Sequence, residues 1–287
     1  MLNKAVLISG CSSGIGLSTA LTCLKRGGLV FAGLRNPAKQ SAKLVAAAKA
    51  DGLSLDRLNF VQLDVTDDAS VKDAVAEATS ISQNRIDVLI NNAGEGLNGT
   101  IESISLERAK QHFDLNVWGV YRLVQAVAPV MRAQGDGGQI INISSASAFR
   151  SLPGFEVYGS GKFALDGLMQ GYAGIAHLDG VSITNVQPGP VATEFVTRLR
   201  EERGASSSEC LTDFEQGLKN LAQFNEGRLA QATMTGQDVA DSVADLIESH
   251  AAGDEVPLSL QLGDAAVEVS SSRATVPLQR VIVFGCV

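Results

Sequence analysis

Seven short aliphatic runs alternate with helical patterns along this chain, and that rhythm constrains the fold more than any other feature. The runs lie at 4–9, 29–33, 58–63, 86–91, 138–144, 181–187 and 257–262. They are rich in Val, Ile and Leu and show no strict polar alternation, the pattern of strands buried on both faces. Helical periodicity fills the intervals at about 15–27, 37–50, 67–81, 105–134, 156–178 and 236–249. Asp67, Ser105 and Thr235 stand where helix N-caps belong. Strands alternating with crossover helices predict an α/β fold: a Rossmann-type doubly wound parallel sheet of about seven strands with helices on both faces. Residues 1–263 read as a single domain. Residues 189–235 interrupt it as a substrate-loop insertion that is expected to carry short helices, and 264–287 form a C-terminal extension.

The first run leads directly into SGCSSGIG. Gly10, Gly14 and Gly16 stand there on a strand-to-helix turn. Glycines let a backbone approach a pyrophosphate, and the following helix N-terminus offers N–H groups and a positive dipole end. Such a turn by itself is weak evidence, because glycines also serve as ordinary caps; its position after the first strand strengthens the reading. Ser12, Ser13 and Ile15 belong to the same turn. At the end of the second strand an acidic residue would accept the adenosine ribose hydroxyls of NAD. Here Arg35 stands in that place, with Lys39 following. A guanidinium offers a fork of donors to a 2′-phosphate, so NADP(H) is the expected cofactor. Asp64, followed by Val65, closes the third strand and is placed either to accept from adenine or to start the next helix. NNAG at 91–94 closes the fourth, where Asn91, Ala93 and Gly94 offer a flat bed for a ligand; Asn91 has the alternative role of tying neighbouring strands together.

Tyr158 and Lys162 are four residues apart in VYGSGKFALDGL, on one face of a helix. An ammonium beside a phenol favours the phenolate, which predicts a lowered Tyr158 pKa and proton transfer near neutral pH. Ser144 and Ser145 follow the fifth aliphatic run thirteen residues upstream.

Charge and cysteine content narrow the function classes. Net charge is −8, yet residues 1–50 contain seven bases and no acid. An acidic chain with one basic end beside a phosphate turn predicts a small polyanionic ligand, and no nucleic-acid partner. Cys11, Cys23, Cys210 and Cys286 include no CxxC pair, so neither a disulfide framework nor a zinc site is expected, and the expected location is cytoplasmic. The three histidines, His112, His177 and His250, have no second ligand at metal spacing, so no metal is expected and surface or helix-end positions are. No run is long enough for a transmembrane segment, and KAVLISG does not read as a leader.

Together these motifs resemble the classical short-chain dehydrogenase/reductase family over about residues 4–263. Within it, GCSSGIG, LRNP, NNAGEGLNG and EVYGSGKFALDGL are most similar to the hydroxysteroid and retinol dehydrogenase branch. The resemblance implies roles. Tyr158 would be the catalytic acid/base, Lys162 would hold the nicotinamide ribose and tune it, and Ser145 would polarise the substrate carbonyl. Asn116, in DLNVWG, would hold a relay water. QPGPVAT would supply the nicotinamide-side loop through Pro188, Gly189, Val191 and Thr193. A homodimer or homotetramer is implied as well. Departures are Ser9 in place of the usual Thr, glycines at 159 and 161 that would loosen the catalytic helix or admit substrate, and Phe149, read as an altered pocket wall. The function expected is hydride transfer between NADP(H) and a hydrophobic ketone, secondary alcohol or aldehyde. A non-catalytic NADP-binding regulatory protein stays open as the alternative. Phe149, Phe155 and Leu97 are expected to form apolar wall; Glu95 is placed either to touch substrate or water or, as the safer reading, to sit in a solvated loop, and Arg150 is expected to be solvated.

Overall fold

A computed structural model describes residues 2–194 and 234–263. Its elements in chain order are β1 (Ala5–Ser9), α1 (Gly14–Lys25), β2 (Leu29–Leu34), α2 (Pro37–Ala50), β3 (Leu58–Gln62), α3 (Asp68–Ile81), β4 (Val88–Asn91) and α4 (Leu106–Phe113). A π turn over Asp114–Trp118 leads into α5 (Gly119–Ala133), β5 (Gly138–Ile143), α6 (Glu156–Ala176) and β6 (Val181–Pro188). Then come β7 (Val191–Ala192), β8 (Met234–Thr235), α7 (Gly236–Ala251) and β9 (Ser259–Leu262). The expected insertion and extension fall largely at 195–233 and 264–287, outside the described residues, and so do the short helices expected there.

Seven strands form one parallel sheet in the order β3-β2-β1-β4-β5-β6-β9. The order reverses between β1 and β4, and a crevice opens there at the carboxyl ends of the strands. Both sheet faces are dry. On one, Leu7, Leu89 and Ile140 pack beneath Val75 of α3, Leu123 and Met131 of α5 and Leu165 of α6. On the other, Ile8, Ile90 and Ile141 pack beneath Ala20 of α1, Leu44 of α2 and Val243 and Ile247 of α7. Burial on both faces is why the strands read as unbroken aliphatic runs.

The caps form where the sequence placed them. Asp67 accepts from the Ala69 and Ser70 N–H groups, Ser105 from Arg108, and Thr235 closes a capping box with Asp238. The helix expected over 105–134 is not continuous. Its ladder widens to the π turn at 114–118, which carries Asn116, and such turns recur at functional sites. Just after it, a Cβ on Gly119 would stand 2.6 Å from Val65 Cγ2, so the helix runs close over the end of β3.

Candidate active site

A cavity of about 380 Å³ occupies the crevice. The candidate catalytic and cofactor-binding residues line it, with the exceptions of Gly16 and Asn91.

The dinucleotide turn forms one end. Gly10 takes φ +74, and a Cβ there would meet Ala93 Cα at 2.9 Å; only glycine lets this backbone pass so close to the β4 end. The hydroxyl of Ser9 accepts from the N–H groups of Asn92 and Ala93, both at 3.0 Å, and so pins NNAG beside the turn. This is the work the serine does where threonine is usual. Gly16 faces inward instead of toward the cavity: a Cβ would sit 2.3 Å from Asn92 Nδ2 and 2.4 Å from the Gly10 carbonyl oxygen. Its missing side chain lets α1 pack closely on the turn at Gly10 and on Asn92.

Asn91 takes the second of its two readings, tying strands together. It is buried, and its amide donates to Asn142 Oδ1 at 2.8 Å, while Asn142 donates to Asn185 Oδ1 at 2.8 Å. The three asparagines stand in register on β4, β5 and β6 and form a polar ladder inside the sheet. Asn92 lines the cavity in its place, donating to the Ser9 and Gly10 carbonyls.

At the far end of the turn, Arg35 projects from the end of β2 as an exposed cavity residue with no ion pair among the described residues. Asp64 Oδ1 accepts from the Thr66 backbone and hydroxyl, so this carboxylate both shapes its turn and borders the cavity. Thr193 arches over the turn, 3.4 Å from where a Gly14 Cβ would be.

Tyr158, Lys162, Ser145 and Asn116 meet at the other end. Tyr158 and Lys162 lie one turn apart on α6, and the Lys162 Nζ is 5.9 Å from the Tyr158 ring centroid. Lys162 is buried and donates to the Ile143 carbonyl at 2.9 Å. Ser145 shares a hydrogen bond with the Tyr158 hydroxyl. The expected lowering of the phenol is not found. Burial raises Tyr158 above the ordinary phenol value, and the Ser145 hydrogen bond offsets only part of that. Burial also pushes Lys162 down to about 8, with Asp166 opposing. Desolvation, which a spacing argument cannot see, dominates here.

Asn116 is held from two sides. Its amide donates to the His112 carbonyl at 3.0 Å, and its Oδ1 accepts from the Glu95 N–H at 3.3 Å. His112 stands in the last turn of α4, at the helix end expected, but it is fully buried and not on the surface. Its ring stacks edge-on against Tyr158 with centroids 6.0 Å apart, and its Nδ1 is 3.6 Å from Glu95 Oε1. Glu95 is not a solvated loop residue either: it lines the cavity and pairs with Arg108 at 2.5 Å, and these cationic and His112 contacts, working against burial, bring its carboxyl below the usual range. An isolated histidine in sequence gave no sign of the Glu95 and Tyr158 contacts, which the loop after β4 and α6 bring to it.

Of the glycines at 159 and 161, Gly159 serves close packing, whereas a Cβ at Gly161 would make only ordinary contacts. A Cβ on Gly159 would lie 2.2 Å from Ser151 Oγ, so the 150–155 loop rests directly on α6. Gly161 faces His112 Nε2 at 3.6 Å from its Cβ position. Of the apolar wall expected, Phe155 lines the cavity together with Leu115 and Leu152, whereas Phe149 and Leu97 do not. Arg150, exposed as expected, reaches the cavity rim. Ser144, named with Ser145, lines the cavity too, and Gly33 and Gln40 are further lining residues that the motifs did not announce.

The residues present fit a nicotinamide dinucleotide on structural grounds. The glycine turn approaches the ends of β1 and β4 in a way that any Cβ at Gly10 would block, α1 opens at that turn, and a guanidinium stands at the end of β2. Among the described residues no cluster of His, Cys, Asp or Glu has the arrangement to hold a metal ion, and no helix is long and apolar enough to cross a membrane.

Comparison with known proteins agrees with this geometry. Human retinol dehydrogenase 8 is 40% identical over 199 residues, 68% of this chain and 61% of that protein. Estradiol 17-beta-dehydrogenase 1 of Rattus norvegicus is 36% identical over 209 residues, 72% of this chain and 59% of that protein. The chain thus spans about three fifths of the length of these curated relatives. Among solved structures, ElxO with NADP bound superposes with a TM-score of 0.73 at 26% identity, covering 92% of this chain and 98% of that one. The short chain dehydrogenase family profile matches residues 4–204, and with the relatives above this means that the chain belongs to the short-chain dehydrogenase family.

Proposed function

We propose that this protein is an NADP(H)-dependent oxidoreductase that interconverts hydrophobic ketones or aldehydes and their alcohols. The observation that carries the reading is one cavity holding both a phosphate-cradling turn with Arg35 and a Tyr158 hydroxyl bonded to Ser145 beside Lys162. The NADP in ElxO supports the cofactor choice, and the retinol and estradiol named in the relatives support a bulky apolar substrate.

When bound, the nicotinamide supplies or accepts hydride. The chain's own residues handle the proton and the charge. Tyr158, raised by burial, keeps its proton at neutral pH and can donate it to a carbonyl oxygen. Ser145 donates to the same oxygen as charge develops there, and a preorganised donor of this kind is worth about 3–4 kcal/mol. Lys162 in its ammonium form offers hydrogen bonds to ribose hydroxyls and stabilises the phenolate that remains. Leu115, Leu152 and Phe155 give the reacting end an apolar wall that excludes water.

The test is NADPH oxidation with estrone, all-trans-retinal and glucose. Efficiency, as kcat/KM, should be far higher on one of the apolar carbonyls than on glucose. Comparable efficiency on the sugar would overturn the substrate class, and failure on every carbonyl offered, despite NADPH binding, would favour a regulatory nucleotide-binding role.

A two-fold dimer belongs to the same proposal. Trp118 and Tyr121 stay 48% and 44% exposed on the helical edge, in edge-on contact with each other, and Ile175 and Leu178 are exposed at the end of α6. Such apolar surface favours association. Sedimentation equilibrium at micromolar concentration should give about twice the 30.0 kDa chain mass, and a single monomeric species would count against it.

A further inference from the structure

Three consecutive residues at the end of β5 are each held by one residue of a single stripe on α6. Ser145 bonds to Tyr158, the Ile143 carbonyl accepts from Lys162, and between them the Ser144 hydroxyl donates to Asp166 Oδ1 at 2.5 Å. Tyr158, Lys162 and Asp166 follow one another at four-residue spacing, so they form one ridge along the helix. Asp166 does more than continue the stripe. Its Oδ2 accepts from Gln187 Nε2, and Gln187 Oε1 accepts from Gln261 Nε2 at 3.1 Å. Gln187 precedes Pro188 and Gly189, which line the cavity. One carboxylate therefore joins α6, the end of β5, the end of β6 and, through Gln187, β9.

We propose that Asp166 is a positioning residue for this site: it clamps Ser144 and Gln187 so that the strand ends bearing Ser145 and Pro188 keep their places around Tyr158, and its negative charge holds Lys162 in the ammonium form. Neither Asp166 nor its partners Ser144 and Gln187 reach the reacting atoms in this role. The charge part of the argument rests on position. Asp166 is the acidic group next to Lys162 on α6. The other titratable groups facing this region are Tyr158 on the same helix, and His112 and Glu95 from the α4 side. Burial works against the Lys162 cation and Asp166 opposes it; burial likewise raises the Asp166 carboxyl, while Ser144, Gln187 and Lys162 favour its ionised form. Without Asp166, Lys162 should lose its proton at lower pH.

This inference rests on the reductase reading, so its test has one arm that needs no turnover. In the first arm, Asp166→Asn and wild type are compared in NADPH oxidation with estrone or retinal, whichever wild type reduces. Asp166→Asn should lower kcat by about 10- to 100-fold, the scale of a small misplacement of reacting groups. KM for NADPH should stay near wild type, and the alkaline fall-off of kcat should move to lower pH. In the second arm, competitive acetic anhydride labelling of Lys162 across pH, read by mass spectrometry of its peptide, follows the amine directly. The labelling midpoint should be lower in Asp166→Asn. Equal midpoints overturn the charge part of the proposal, whatever the activity. A wild type inactive on both carbonyls with a displaced labelling midpoint overturns the reductase reading and leaves the charge role of Asp166 standing. If Asp166→Asn does not fold, Asp166→Glu and Ser144→Ala carry the test. The first should keep the wild-type alkaline limb, and the second should lower kcat with that limb in place. A shifted limb in Asp166→Glu, or wild-type kcat in Ser144→Ala, overturns the proposal.

Discussion

Tyr158→Phe is expected to lower kcat by at least about 100-fold, within the 10²–10⁴ range of general acid catalysis, while NADPH still binds. The substitution removes one oxygen and keeps the ring. That ring is held by edge-on contacts with His112 and Phe155, at centroid distances of 6.0 and 6.3 Å, neither of which involves the hydroxyl. Fold and cofactor cleft should therefore persist, and the loss should fall on proton transfer. Steady-state kinetics give kcat, and the fluorescence of bound NADPH gives affinity. A mutant retaining more than a tenth of the wild-type rate would show that Tyr158 is not the proton donor.

The second large effect concerns cofactor choice. Wild type should bind NADPH more tightly than NADH, and Arg35→Asp should level or invert that preference. Arg35 is exposed at the cavity edge, so the free protein gives up little to engage a 2′-phosphate. One charge-assisted hydrogen bond lost costs about 1.5–3 kcal/mol, or roughly 10- to 100-fold in affinity. An aspartate there adds repulsion toward the phosphate and accepts from the ribose hydroxyls of NADH. The glycine turn is untouched, so NADH affinity should not fall with that for NADPH. Titration of both dinucleotides into both proteins checks this. A wild type that prefers NADH would remove the basis for assigning the phosphate to Arg35.

How much of this was legible in the chain depends on the range of the interaction concerned. Elements set by local pattern were readable. All seven expected strands join the main sheet in parallel. The N-caps at Asp67, Ser105 and Thr235 form because a short polar side chain can reach only its own next turn. The glycine turn and the Tyr158–Lys162 pair were readable for the same reason: both are relations within a few residues.

What needed tertiary structure was each property set by what packs from elsewhere. Asn91 and Asn92 are neighbours in sequence, yet strand register hands the first to Asn142 within the sheet and leaves the second to line the cavity. His112 looked isolated because Glu95 comes to it from the loop after β4 and Tyr158 from α6; only Asn116, one helix turn on, is a local neighbour. Asp166 gave no motif, since its partners come from the ends of two strands 22 and 21 residues away. The Tyr158 phenol was expected below its ordinary value from its spacing to Lys162, and it lies above because desolvation depends on the whole surrounding fold. Sequence by itself determined which groups are present and which are joined through a helix turn; the tertiary structure decided which are dry, which are paired and which face the cavity, because burial and strand register are properties of the assembled sheet.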